Sequence, residues 1–509
     1  MTDRPTGSRP ATARRTGALA TGALAAGLLA AAGQAAAKDT LVIGMPLEPP
    51  HLDPTAGAAA AIDEVVYANL FESLTRIDET GAVNPGLAES WDVSEDGLVY
   101  TFHLREGVTY HDGTAFAADD VKFALDRARA EESTNAQKGY FAAIDTVTVV
   151  DDRTVEVRLS RPDGLFLFNM GSGDAAIVAP ESAATNTTEP VGTGPYRFAD
   201  RVEGDRIALV RDPDYTGPDD VYFERVIFRF VPDPAAQVAG LLAGDIDVVA
   251  NIGAPESLAR FEADDRFALM IGTTEGETVM SANWRREPFD DPRVRQAIMH
   301  AVDRQAIVDG AMFGYGTPIG SHFAPHNPAY VDLTDLYPHD PERARALLAE
   351  AGLADGFEAE MLLPPPSYAR RGGEIIQAQL AEVGIEVELV PVEWAQWLEQ
   401  AFQAYDYDLT IVSHTEPLDI GIYARGPDDY YFGYDSEAFD AVIAELDATT
   451  DPGARDALYE QAQTTLGEDL AAIFLFQLAK TGVRSANVEG MWENQPIQAN
   501  DVTGARWVE

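Results

Sequence analysis

Residues 86–114, GLAESWDVSEDGLVYTFHLREGVTYHDGT, restrict the possible folds of this chain more than any other stretch. Asp96-Gly97, Glu106-Gly107 and Asp112-Gly113 supply turn chemistry, because glycine tolerates positive φ. Between the first two turns, Leu98, Tyr100, Phe102 and Leu104 alternate with Val99, Thr101 and His103. This period of two sets bulky groups on one face of a strand. The segment therefore predicts a β-hairpin that feeds a helix over residues 116–132. Asp119 and Asp120 open that helix and Arg127 and Arg129 close it, both favourable to the helix dipole.

The rest of the chain alternates strand and helix signals. Leu41 to Met45 is a short apolar strand, followed by an extended loop, Glu48-Pro49-Pro50-His51-Leu52-Asp53-Pro54, whose prolines fix φ. Residues 147–150 and 154–159 read as a second hairpin, and 207–211 and 225–231 as strands. Asp291-Pro292 and Asp340-Pro341 are helix starts, with the acid as N-cap and proline as first helical residue. Val294, Ile298 and Val302 form one apolar face, and Ala344, Leu347, Leu348 and Ala351 another, stopped by Gly352. Residues 374–383 read as a helix, 385–392 as a strand and 408–412 as a strand that ends in the loop Ser413 to Asp419. Strands alternating with helices predict an α/β architecture.

The amino terminus is of another kind. Arg4, Arg9, Arg14 and Arg15 precede a small, apolar stretch from Gly17 to Ala32 and an Ala35-Ala36-Ala37 site. This is the pattern of a secretory signal peptide over 1–37. The ordinary secretion route is expected rather than the twin-arginine route that Arg14-Arg15 alone would suggest. No cysteine is present, which excludes disulfides, thiol nucleophiles, thiolate metal sites and a lipidated anchor. The net charge of −48 repels nucleic acid and anionic membranes.

Motifs for catalysis are missing. The chain has no Gly-x-Ser-x-Gly, no Walker loop and no His-Glu-x-x-His. Val191-Gly192-Thr193-Gly194-Pro195-Tyr196 lacks the third glycine of a phosphate loop, and Pro195 opposes the helix start such a loop needs. Carboxylate pairs abound among 84 acidic residues and read as solvated faces. His322 and His326 are four apart, but Pro325 opposes the helix that would align them for metal.

Three stretches carry a resemblance: 86–114, VGTGPY at 191–196 and PFDDPRVRQAIMHAVDRQAIV at 288–308. They resemble the extracellular solute-binding proteins of family 5, the peptide and nickel receptors of ABC importers. The resemblance implies a two-lobed periplasmic-binding-protein fold (type II, large three-domain variant) with a hinge between lobes. Mapped onto this chain, lobe I is 38–80, 188–280 and 480–509, the inserted extra domain is 81–187, and lobe II is 281–479. It implies a periplasmic monomer without a cofactor or a direct membrane anchor. That monomer captures a small solute (a short peptide, an opine-like conjugate or another zwitterion) and hands it to membrane permease subunits. The cleft residues so implied are His51, Asn283, Trp284, Tyr368, Arg370, Trp394, Ser413, His414, Glu416 and Asp419. Tyr368, Arg370 and Arg371 are expected in a loop after three prolines, and Trp397 is expected in a helix core. The Ser413 to Asp419 loop departs from the family's patterns. It is shorter than in peptide receptors, and Gly421 stands where nickel-type members carry a histidine. Two alternatives stay open: a nickel or metal-chelate receptor using His414, Glu416 and His51, and a secreted hydrolase using an acidic pair.

Overall fold

The computed structural model describes residues 38–508 apart from 58, so the expected signal peptide over 1–37 lies outside the described residues. An eleven-stranded mixed sheet organises them. The first strand, Thr40–Met45, pairs in parallel with Arg225–Phe230 on one side and Val248–Val249 on the other. Its central position explains its unbroken apolar run, since both faces are covered. Arg206–Arg211 and Tyr196–Val202 complete that half of the sheet. The other half is Ile385–Pro391, Phe357–Leu363 and Leu409–His414.

Two long antiparallel strands, Phe267–Ala282 and Ile473–Ser485, join the halves. Their register runs unbroken from Phe267↔Ser485 to Thr273↔Ala479, then shifts so that Glu277 faces Gln477. The bulge releases Thr274, Glu275 and Gly276 from the ladder at the middle of the crossing, where bulges bend a strand and re-aim side chains. Buried hydrophobic residues respect the division. One cluster gathers Leu41, Ile43, Phe102 and Phe228, and others gather Met280, Ile298 and Phe476 or Trp397, Tyr431 and Phe474. No buried cluster among the described residues spans both halves. Two lobes with separate cores on two shared strands form a hinge.

The 86–114 segment builds a separate four-stranded sheet in the order Ala88–Val93, Val99–Leu104, Thr154–Leu159, Ile144–Asp151. Tyr100, Phe102 and Leu104 are buried, with the alternate positions half-buried, as period two requires. Gly97, Gly107 and Gly113 all take positive φ. The helix Ala118–Arg129 packs behind the sheet. His111 ties this segment to 191–196. Gly192 N–H donates to its Nδ1 (3.2 Å), and its Nε2 donates to the Gly194 carbonyl (2.9 Å). Burial lowers its pKa below the usual histidine range, which keeps the ring neutral as these bonds require. A Cβ on Gly192 would stand 1.9 Å from the Leu70 carbonyl oxygen. The glycines of VGTGPY are thus explained by backbone meeting backbone.

Two expectations need correction. The helix expected from 374 begins at Ser367 and runs to Glu382, so Tyr368, Arg370 and Arg371 are helical rather than in a loop. Its buried face is Ala369, Gly372, Gly373, Ile376 and Leu380. The glycines hid the apolar period. Gly373 is needed because a Cβ there would lie 2.7 Å from Leu363 on the strand beneath. The strand expected to end at 412 continues through Ser413 and His414, which pair with Thr278 and Glu277 on the long central strand.

Candidate functional site

A cavity of about 250 Å³ is lined by segments from both halves of the fold. Its size, just below the ~300–1,000 Å³ typical of ligand pockets, suits a small solute. The short helix Ala60–Val66 contributes Asp63. The segments after the helix Ala118–Arg129 and around Asp174 contribute Gln137, Tyr140 and Asp174, the bulge contributes Glu275, and the loop after Leu409–His414 contributes Thr415, Glu416 and Pro417. Residues 495–498 close the wall. The lining thus holds four carboxylates and, among the described residues, no lysine, arginine or histidine.

Two of these carboxylates carry an unpaired oxygen. Asp63 Oδ1 and Glu275 Oε2 are buried without a hydrogen-bond partner. Burial raises the Asp63 carboxyl well above the usual range, and the neighbouring charges of Asp174 and Glu64 add to the effect. Burial pushes Asp174 up to about 7. Tyr140 is pushed up to about 12, first by burial and then by Asp174, Glu416 and Asp63. Glu275 keeps one good bond, from His326 Nε2 to its Oε1 at 2.7 Å. The electrostatics of such a site favour a cation, which would lower each raised pKa by pairing with the ionised form.

Of the residues expected at the cleft, Glu416 lines this cavity. His51 sits behind the wall, its ring against Gly57 and its Nδ1 accepting from Asp53 N–H. Asn283 lies inside lobe II. It is fully buried, and its amide donates to the Tyr405 and Tyr407 carbonyls, both at 2.9 Å. Trp284 also packs inward, under the Arg295 guanidinium at 3.5 Å and edge-on to Tyr434. Arg370 donates to the Val392 carbonyl and pairs with Glu393. Trp394 is 40% exposed and leans edge-on against Trp397, whose indole N–H donates to Thr410 in the core. None of these five, nor Tyr368 or Ser413, is part of the cavity lining. Tyr368 Oη accepts from the Ser413 N–H.

His414 and Asp419 meet directly behind Glu416. His414 shares a hydrogen bond with Tyr431 Oη (2.9 Å), and its Nδ1 stands 3.9 Å from Asp419 Oδ2. Burial lowers His414 to about 4, against the opposing pull of Asp419, so the ring is neutral. Asp419 Oδ1 accepts from His322 Nε2 at 2.7 Å. Burial opposes its ionisation, yet the two histidines hold its pKa below the usual value. His322 was weighed in the sequence only as a partner of His326 and set aside; its pairing with Asp419 left no local signal, because the two are distant in number and off any helix. Asp63, Tyr140, Asp174 and Glu275 were missed because each comes from a different short segment with no local pattern. The one faint signal is Gly171-Ser172-Gly173-Asp174, where Gly173 lets Asp63 approach within 2.1 Å of an added Cβ.

Comparison with known proteins decides the family. The model for bacterial extracellular solute-binding proteins, family 5 (middle region), matches residues 82–432. The chain belongs to that family. It is 31% identical to heme-binding protein A of Haemophilus influenzae, over 75% of this chain and 76% of that one. It is also 31% identical to the dipeptide-binding protein of Escherichia coli K12, over 78% and 81%. A solved structure of HbpA2 from Haemophilus parasuis superposes with a TM-score of 0.84 at 27% identity, covering 92% of this chain and all of that one. The protein is therefore a solute-binding component of an ABC importer, and family 5 members are receptors rather than enzymes.

Proposed function

We propose that this receptor captures a small cationic solute by its ammonium group, with a short peptide held at its amino terminus as the leading class. The observation that carries the reading is the cavity lined by Asp63, Asp174, Glu275 and Glu416 with no basic side chain. A carboxylate-bearing ligand held by arginine, as an opine-like anion would be, finds less support. Arg370 is engaged at Val392 and Glu393, and Arg425 stacks on Tyr430. The metal-chelate reading loses one of its three contacts, because His51 lies against Gly57 and the group that gathers His414 and Glu416 does not include it. The dipeptide-binding relative is in keeping with the peptide class. The chain is proposed to be exported by its 1–37 leader, to act as a free periplasmic monomer, and to deliver its solute to permease subunits by lobe closure.

A thermal-shift panel separates these readings. Short peptides with a free amino terminus should raise Tm, whether the carboxyl end is free or amidated. Their N-acetylated counterparts should leave Tm unchanged. A shift by the acetylated peptides, or by organic anions alone, would overturn the cationic reading.

A further inference from the structure

Behind the cleft wall, lobe II holds a group of side chains that the solute cavity does not use. Glu277 stands on the central strand Phe267–Ala282, directly opposite His414 in register. His322 comes from the irregular segment after the helix Arg304–Ala311, and Asp419 from the loop after Leu409–His414. Glu277 is 1% exposed and His322 is 0% exposed. Each of Glu277, His322 and Asp419 presents one ligand atom, and these atoms all lie within 4.8 Å of one another.

Two features distinguish this group from an ordinary buried ion pair. Glu277 Oε2 has no hydrogen-bond partner, and neither has His322 Nδ1. A buried carboxylate oxygen and a buried ring nitrogen left unpaired each cost free energy that a folded chain normally avoids. One imidazole with two carboxylates is also a donor set suited to a divalent ion of the zinc or nickel kind. Donors bound at ~2.0–2.2 Å to one ion stand roughly 3–4 Å apart, so the group needs only a small contraction. The ion's charge of two would neutralise the two carboxylates.

We propose that Glu277, His322 and Asp419 form a structural divalent transition-metal site inside lobe II, distinct from the solute cavity. A second triad, His414, Glu416 and Asp419, shares Asp419 and meets the same distance limit. It reaches the cavity through Glu416 and gives the ion a way in from the cleft. Bound metal would pin the loop that carries Glu416 to the central strand. The inference does not depend on which solute the cavity takes.

The test uses the full exported protein without a polyhistidine tag and without solute. It is stripped with a chelator, incubated with Zn²⁺ or Ni²⁺ alone, desalted and measured by elemental mass spectrometry and thermal melting. The site predicts about one ion per chain and a higher Tm, both reversed by chelator. Glu277→Gln and His322→Gln should each lose the ion. The Glu277→Gln protein without metal should melt no lower than the stripped parent, because glutamine keeps the shape of the side chain and removes a buried carboxyl oxygen that has no partner. That melt guards against loss by misfolding. Glu416→Gln should keep the ion. The proposal is overturned if the parent retains none, if Glu277→Gln retains as much as the parent, or if Glu416→Gln loses the ion while Glu277→Gln keeps it.

Discussion

Replacing Asp174 by Asn should cripple solute capture and, at pH 8, make the solute-free protein more stable. Both effects come from one carboxyl that burial pushes up to about 7. Removing one partner of a buried, hydrogen-bonded charge pair typically costs ~2–5 kcal/mol, or roughly thirty- to several thousand-fold in affinity. The stability effect has the opposite sign. A carboxyl whose folded pKa exceeds its unfolded value binds more protons when folded, so the parent loses stability as pH rises from about 4 to about 7. Above that window the cost is constant, on the order of 2–3 kcal/mol after allowance for partial exposure. The Asn variant lacks this cost. Its Tm should exceed that of the parent at pH 8 by a few degrees and converge with it near pH 4. Binding by the parent should follow the same titration, weakening below about pH 7 as the carboxyl takes up its proton. Melting curves at pH 4 and 8, with calorimetric titration of an amine-bearing peptide, read both effects. Unchanged affinity together with a lower Tm at pH 8 would make Asp174 a structural residue.

Gly192→Ala should destabilise the fold severely. An added Cβ would sit 1.9 Å from the Leu70 carbonyl oxygen and 3.0 Å from the Phe71 ring. The backbone cannot retreat, because Gly192 donates to His111 Nδ1 and its carbonyl accepts the His111 N–H. Overpacking with nowhere to relax belongs to the class of substitutions that cost more than ~4 kcal/mol. Insoluble protein, or a Tm lower by many degrees, is the expected result. Gly107→Ala is the control. It stands at positive φ, which Gly192 does not, but meets nothing within 4 Å, so it should cost only about 1–2 kcal/mol. Equal behaviour of the two variants in expression and melting would contradict the close-approach account.

The difference between these two glycines also shows what was legible in the sequence. Turn chemistry is local, so Asp96-Gly97 and Glu106-Gly107 announced their turns and the alternation between them announced the strand. The Asp291-Pro292 cap is equally local, with Asp291 accepting from Arg293 N–H and Pro292 opening the helix. Close approach is not local. Gly192 and Gly373 owe their identity to Leu70 and Leu363, which no pattern near either glycine reveals. Glycines 372 and 373 further broke the apolar period that would have extended the helix to Ser367. The family resemblance named the architecture because scaffold residues recur. The cavity was harder to read, because a polar lining drawn from several short segments leaves no periodic trace. Asn283 and Trp284 stood beside a family match and were expected at the cleft. Their side chains instead satisfy the interior, one through the Tyr405 and Tyr407 carbonyls and the other beneath Arg295. Glu416 was found because its loop follows a strand end that the fold directs toward the cleft.

The most direct test of the cationic cleft is native mass spectrometry of the protein purified from its own host, with release and identification of the retained small molecule. The account predicts a molecule with a free amine that is positively charged at neutral pH, lost from the Asp174→Asn protein. A retained molecule that is anionic, or that carries no cationic group, would contradict it.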